Sequence, residues 1–318
     1  MKLRNNIRFA RFSSFACFAW SVLAWNILVI LWGALVRITG SGAGCGNHWP
    51  DCNGQFTPNA TTATLIEYTH RAMTGLDSIL VAALLIWAFR AFPRGHPVRL
   101  GAVLSGVFLV TEALIGAALV KLEYVARNAS TGRGYSHSAH LINTFTLLAC
   151  LALTAWWSTG WWGTEKPAIH ARGKAARMAA ISLAVVMVLG VSGAIAALGD
   201  TLYPARSLAA GLAQDFDPAA SIFLRLRLLH PAIAACAAAW LLFYGVSSAR
   251  RRPGVRRAAW IMLGFLGAQV LAGATNLLLL APGWLQMVHL LLADLLWISL
   301  VLLCAETLAV HQTAPPEP

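Results

Sequence analysis

The sequence predicts an all-α integral membrane protein, with eight transmembrane helices arranged as two pseudo-repeated four-helix bundles and both termini in the cytoplasm. Three observations predict it. The 318-residue chain is 58% hydrophobic and 11% charged, with mean hydropathy +0.66, whereas a soluble domain carries about 25% charged residues. Eight apolar segments are near the ~20 residues that cross a hydrocarbon core as a helix. Motifs in the first four of these segments recur in the last four.

In chain order, the first predicted helix runs from Phe15 to Val36, after a stretch holding Lys2, Arg4, Arg8 and Arg11. Its apolar run is too long for a signal-peptide core and no small-residue cleavage site ends it, so it is expected to stay as a span. The lack of an extended transit peptide favours a prokaryotic plasma membrane. The loop RITGSGAGCGNHWPDCNGQ, Arg37 to Gln55, follows. Helix two (Thr64 to Phe89) contains IEYTHRAM, helix three (Leu100 to Val120) contains Glu112, and helix four (Tyr135 to Trp157) opens with YSHSAHLIN. These make an N-terminal half, residues 1–158, joined by a cytoplasmic linker, 159–177, to a C-terminal half, 178–310. That half holds helix five (Met178 to Leu198), helix six (Ala220 to Val246, with LRLLHPAI), helix seven (Ala258 to Leu280) and helix eight (Trp284 to Val310, with QMVHLLLAD). Residues 311–318, ending in TAPPEP, read as a frayed tail.

The net charge of +12 invites comparison with nucleic-acid binders, but the basic residues sit in short loops rather than in one aromatic-laced patch. They report topology instead. With a cytoplasmic N-terminus, sixteen of the 24 Lys and Arg fall inside, in clusters such as Arg250, Arg251, Arg252, Arg256 and Arg257. The even helices then begin outside and run inward, and WWSTGWWG, Trp156 to Gly163, is expected to form an interfacial aromatic belt on the cytoplasmic side.

Six cysteines divide by surroundings. Cys17, Cys150, Cys236 and Cys304 lie in apolar segments and are expected to be small buried hydrophobes. Cys45 and Cys52 lie in the outer loop, where oxidation is permitted. With Gly44, Gly46 and Pro50 to bend the loop, the pair points to a disulfide, either a structural staple or a redox-active couple. Two thiols and His48 lack the paired spacing of a zinc motif.

Of nine histidines, His96, His170 and His311 fall in inside loops or the tail and are expected to be solvated. His70, His137, His140, His230 and His289 lie near the outer ends of the four even helices. An ionisable residue at membrane depth is a functional candidate, and two imidazoles on facing helices can occupy both axial positions of a haem iron. Four such helices make two haem sites, side by side near the outer face. No helix carries two histidines about four turns apart, so transfer across the bilayer is not the evident purpose. Of His137 and His140, the deeper His140 is taken as ligand, with His137 as runner-up.

The halves align by self-comparison. Trp32-Gly33-Ala34-Leu35 corresponds to Ser192-Gly193-Ala194-Ile195 and His70 to His230, both at an offset of 160; the segment around Glu112 matches that around Gln269, and His140 matches His289. The first half thus pairs His70 with His140, the second His230 with His289. Only the first carries the cysteine loop and Glu67, one turn before His70 on the same helical face. Glu67 could handle protons beside a ligand or simply pair with Arg71. Asp77, Glu112 and Asp294 are expected to make interhelical hydrogen bonds. Arg37, Arg71, Arg225 and Arg227 could bind haem propionates or anchor helix ends by snorkelling.

GALVRITGSGAGCGNHWPDCNGQ, IEYTHRAMTGL and HLLLADLLWISLVLL resemble the haem A synthase family of cytochrome oxidase assembly proteins; the resemblance covers most of the eight-helix core and is least distinctive from Arg172 to Asp217. It implies conversion of haem O to haem A by successive hydroxylation of a ring methyl group to a formyl group. It also implies substrate haem flanked by His70 and His140 with Glu67 as catalytic carboxylate, haem b held by His230 and His289, and Cys45 and Cys52 as the family's extracellular cysteine pair. Pro231, where the first half has Arg71, leaves the propionate partners of the second haem open. The expected partners are the haem O substrate, the haem O-forming protohaem farnesyltransferase, an electron-transfer partner of unspecified kind and membrane lipid. The competing class is a non-enzymatic haem protein, either a bis-histidine b-type cytochrome or a haem exporter. A transporter would want matched helix breaks in both halves, which the sequence lacks.

Overall fold

The computed structural model describes residues 2–55, 61–159, 168–169 and 172–310. Nine helices occur among the described residues: α1 (Lys2–Ile38), α2 (Thr62–Ala91), α3 (Pro97–Lys121), α4 (Thr131–Ser158), α5 (Gly173–Leu202), α6 (Leu208–Phe216), α7 (Ile222–Arg251), α8 (Arg256–Leu278) and α9 (Gly283–Leu308). All but α6 are long and apolar enough to span a membrane, as the sequence predicts. Most overrun the hydropathy boundaries; α5 starts at Gly173 rather than Met178. Basic and polar end residues continue a helix past the hydrocarbon because their heads reach water while their stems stay apolar. Ala168–Ile169 pairs antiparallel with Ala309–Val310, joining the inter-half linker to the end of α9.

Local signals set the helix starts. Thr61 and Ser130 accept hydrogen bonds from Thr64 N and Arg133 N at the heads of α2 and α4, satisfying donors that the first turn leaves free. His96 does the same for α3: its Nδ1 accepts from Val98 N at 3.3 Å and its ring packs on Phe92. It is therefore buried, not solvated as expected, because a capping role holds it against the helix end. α1 closes at Gly40, whose φ of +68° is the left-handed cap that glycine adopts without strain.

In the first half α1 packs on α2 and α4, α2 on α3, and α3 on α4; in the second, α5 packs on α7 and α9, α7 on α8, and α8 on α9. Between the halves α4 meets α9, flanked by α4 on α5 and by α1 on α9. Exchanging the halves maps this set of contacts onto itself, as expected for parallel repeats related by an axis along the helices. Trp297 on α9 closes the seam, donating from Nε1 to Phe145 O at 2.6 Å and stacking on the Phe145 ring with centroids 5.1 Å apart. Arg37 at the end of α1 is a second fastening, donating to Ala197 O at 2.8 Å and Thr201 Oγ1 on α5, and to Gln286 Oε1 on α9 at 3.0 Å.

The main buried cluster lies in one half of the bundle's length. It takes Phe15 to Leu23 from α1, Val81 to Ala88 from α2, Phe145 to Ala155 from α4, Leu241 to Ala249 from α7 and Leu296 to Cys304 from α9. All of these lie on the side away from the cysteine loop. Cys150 and Cys304 are buried, but Cys17 and Cys236 are exposed on the bundle's flank, where an apolar environment accepts a thiol as readily as the core does. Trp156 is buried rather than part of a belt, because the end of α4 lies inside the bundle; residues 160–163 of that motif, with His170 and His311, lie outside the described residues.

Candidate functional site: two histidine pairs, one of them beneath a disulfide-closed loop

His70, His140, His230 and His289 each sit six to nine residues inside the N-terminal end of their helix, a depth of roughly 9–14 Å at 1.5 Å per residue. The close-packed cluster stops short of this level, and all four side chains are half-buried. His70 has His140, Glu112 and Arg71 as its charged neighbours, and His289 has His230. The pairs inferred from the repeat are thus brought together. His137, one turn earlier on α4, is grouped with His140, Arg37 and Arg133, toward the seam between the halves.

The histidine surroundings suit a large flat ligand. A Cβ added at Gly33 would lie 3.1 Å from His70 Cε1; at Gly193 or Gly273 it would lie 3.0 Å from Cε1 of His230 or His289. A glycine on the neighbouring helix therefore gives three of the four rings their place. His230 Nδ1 lies 2.9 Å from the Ser192 hydroxyl, which is also 2.8 Å from Leu189 O; with the hydroxyl proton on that carbonyl, Nδ1 donates to Ser192 and Nε2 keeps its lone pair. In the first half Trp32 stands in the place of Ser192 and donates instead to Ile66 O. Nδ1 of His70 and of His289 have no hydrogen-bond partner among the described residues, an unmet capacity that ligation of the ring and its accompanying polar groups would reorganise. These donors, at this depth and in facing pairs, fit bis-histidine haem ligation.

The cysteine loop lies over the first pair. Cys45 and Cys52 form a disulfide and are both fully buried. Gly44 allows the loop backbone to rest on the first turn of α2, and its carbonyl accepts from Thr64 Oγ1 at 2.9 Å. Glu67 fastens the loop from below: its Oε2 accepts from Cys45 N at 2.8 Å while Oε1 accepts from Arg71. Arg71 in turn donates to the carbonyls of His48 and Asp51. Glu67 does pair with Arg71, then, but the pair is part of the loop's anchorage and lies beside His70.

The other arginines are engaged on the same face. Arg225 donates to Pro218 O. Arg227 bridges Asp200, at 2.9 Å, and Asp215 on α6. This bridge and α6 itself were not foreseen from the sequence, since a nine-residue helix in a connecting segment has too few apolar residues to register as a span. Asp77 and Glu112 make the expected interhelical hydrogen bonds, Asp77 from Asn26 Nδ2 at 2.7 Å and Glu112 from Asn143 Nδ2 at 2.6 Å. Asp294 does not: it is fully buried and neither carboxylate oxygen has a partner among the described residues.

Comparison with known proteins bears on this arrangement. A family model described as cytochrome oxidase assembly protein matches residues 16–301. Two proteins named protoheme IX farnesyltransferase, from two strains of Thermus thermophilus, are each 46% identical over 299 residues, covering 93% of this chain and 49% of theirs. The chain thus spans about half the length of these curated relatives. Heme A synthase of Geobacillus kaustophilus is 50% identical over 95 residues, 30% of each chain, and that of Bacillus licheniformis 45% over 94 residues, 30% of this chain and 31% of the other.

Proposed function

This chain belongs to the cytochrome oxidase assembly protein family, and we propose that it is a haem A synthase, oxidising a ring methyl group of haem O to a formyl group through hydroxylated intermediates. The observation that carries the reading is the asymmetry of two otherwise like sites. Both halves present a histidine pair at one depth, but among the described residues only the first has a disulfide-closed loop, fastened by a carboxylate one turn before its histidine. An enzyme whose substrate is itself a haem needs such a difference, since one site retains its haem while the other admits and releases one.

In this reading residues 1–158 form the substrate half and 178–310 the cofactor half. His70 and His140 hold haem O, and His230 and His289 hold haem b. Haem iron supplies the oxidising chemistry when bound, and the protein supplies orientation and charge. Ser192 orients His230 for permanent ligation, while the first half lacks that hydrogen bond, as befits a site that exchanges its ligand. Glu67 places an acceptor beside the reacting haem. Its Oε2 holds Cys45 N–H, so proton acceptance at that oxygen is coupled to movement of the loop. Arg71, Arg225 and Arg227 lie on the same face and would exchange their present partners for propionates. The disulfide is a structural closure for the loop, since both sulfurs are buried. The clustering of Lys and Arg away from the loop supports cytoplasmic termini, a loop outside a prokaryotic plasma membrane and histidines toward the outer face.

The name of the Thermus relatives favours one further reading, transfer of a farnesyl group to haem, and equally supports a working partnership with an enzyme that performs it. Chromatography of haems extracted from cells tests all of this. Cells expressing a haem O synthase alone, this chain alone, and both together are compared. Haem A or its hydroxylated precursor is expected only with both. Haem O from this chain alone would establish farnesyl transfer, and unchanged haem O with two equivalents of haem b on the purified protein would make it an electron carrier.

A further inference from the structure

The two halves differ at a second carboxylate. Glu112 on α3 and Gln269 on α8 occupy equivalent places, and each meets the histidine of the following helix. Glu112 Oε1 lies 3.0 Å from His140 Nδ1, whereas Gln269 Nε2 lies 3.3 Å from His289 Nε2. The Glu112 pair is close without being aligned, since the ring N–H does not point at the oxygen. Two more donors converge on the carboxylate, Asn143 Nδ2 on Oε2 at 2.6 Å and the Thr144 hydroxyl on Oε1. Asn143 is itself fixed, donating to Phe108 O at 2.8 Å and accepting from Thr111 Oγ1 at 2.6 Å. The Glu112 carboxylate is therefore held from both Asn143 and Thr144 on the facing helix. The glycines one turn further on show what this does to the ring. A Cβ at Gly273 would meet His289 Cε1, but at Gly116, its counterpart, nothing lies within 4 Å. The His140 ring lies toward Glu112 instead.

We propose that Glu112 is the positioning residue of the first haem site. Standing 3.0 Å from His140 Nδ1, it would accept that N–H once the ring turns into line, hold the ring in the tautomer with a free Nε2 and raise its donor strength, as carboxylate–histidine–metal arrangements do. Gln269 is neutral and meets His289 at Nε2, not Nδ1, so it gives His289 no such donor strength. The consequence is an order of potentials: an electron-rich ligand favours ferric iron, so a haem in the first site is harder to reduce than the same haem in the second. The inference rests on the reading of His140 as an axial ligand.

The full-length protein, loaded with haemin as probe, is titrated potentiometrically with optical and electron paramagnetic resonance detection. Glu112→Gln is expected to lower the ferric-to-ferrous ratio of the first-site haem about tenfold at fixed poise, about 59 mV for a one-electron couple, and to alter its ferric signal. The second haem stays as it was. Glu112→Asp is expected to restore part of the first shift. A merely structural carboxylate would change haem content or thermal stability and leave the potentials in place, and that result overturns the proposal. His140→Ala separates it from the underlying reading: if the first-site signal changes in this variant but not in Glu112→Gln, Glu112 has no positioning role. If His140→Ala changes nothing, His140 is not the ligand and the inference falls with it.

Discussion

Gly44→Ala tests whether the loop rests on α2 as closely as the structure shows. Gly44 has φ −66° and ψ −25°, values that alanine adopts freely, so only space opposes the change. The new Cβ would lie 2.5 Å from Ala63 C, 2.6 Å from Ala63 O and 2.7 Å from Thr64 N. These are backbone atoms of a helix start and do not swing aside. The loop must rise by about 1 Å to reach ordinary carbon contact near 3.5 Å. Cys45 N to Glu67 Oε2, now 2.8 Å, and Thr64 Oγ1 to Gly44 O, now 2.9 Å, would both stretch to about 3.8 Å, beyond hydrogen-bond range. A bond to a carboxylate is worth about 1.5–3 kcal/mol and a neutral one about 0.5–1.5 kcal/mol. Their loss favours the open loop by about 2–4.5 kcal/mol, or about 30- to 2,000-fold at 1.36 kcal/mol per decade. Hydrogen exchange of peptides covering residues 41–55, in detergent or nanodiscs, should accelerate by that factor, and haem A yield should fall while the His230–His289 haem is retained. Wild-type protection together with wild-type yield would refute the close seating of the loop and its link to Glu67.

Other perturbations follow from the same geometry. Glu67→Ala should retain haem b and make no haem A, while Glu67→Gln, which keeps an acceptor for Cys45 N–H, should preserve the loop's exchange protection without turnover; chromatography of extracted haems reads both, and full haem A yield from the alanine variant would remove Glu67 from the chemistry. Ser192→Ala should weaken haem b retention by about ten- to a hundredfold through loss of the hydrogen bond that orients His230, measured by haem transfer to apomyoglobin; an unchanged rate would mean that Ser192 does not set the ligand. Asn26→Leu leaves Asp77 buried without its partner and should cost about 1–3 kcal/mol in detergent unfolding. Adding Asp77→Leu should recover most of that loss, and additive losses would show that the pair is not coupled. Trp297→Phe keeps the aromatic stack but loses the bond to Phe145 O, and should cost about 1 kcal/mol at the seam between the halves.

The candidate site was legible where it is written in residue type and period. Apolar runs of spanning length, four histidines near corresponding helix starts, and a pair of cysteines in a glycine-rich loop are each local patterns. The recurrence of Gly33 and His70 as Gly193 and His230 aligned the halves with no coordinates at all. Glu112 shows the limit. Its alignment with Gln269 was visible, but a carboxylate in helix three and a histidine 28 residues later carry no mark of proximity, and the structure was needed to bring them within 3.0 Å. Asp294 marks it from the other side, since a residue expected to hydrogen-bond between helices lies buried with both oxygens unpartnered among the described residues.

The sequence by itself determined the number of spanning helices, their direction relative to one another and the duplication, because lipid forces each spanning segment to satisfy its backbone alone and so to declare its length and polarity locally. Tertiary structure alone decided which face each helix presents and what its polar groups meet. It set Glu67 under the cysteine loop, Arg37 across the seam, Arg227 between two aspartates and α9 against α4. Those choices depend on packing between segments up to 249 residues apart, as in the Arg37 to Gln286 bond. In hydrocarbon the helices have no hydrophobic drive toward one partner over another, so close packing and polar contacts choose their neighbours.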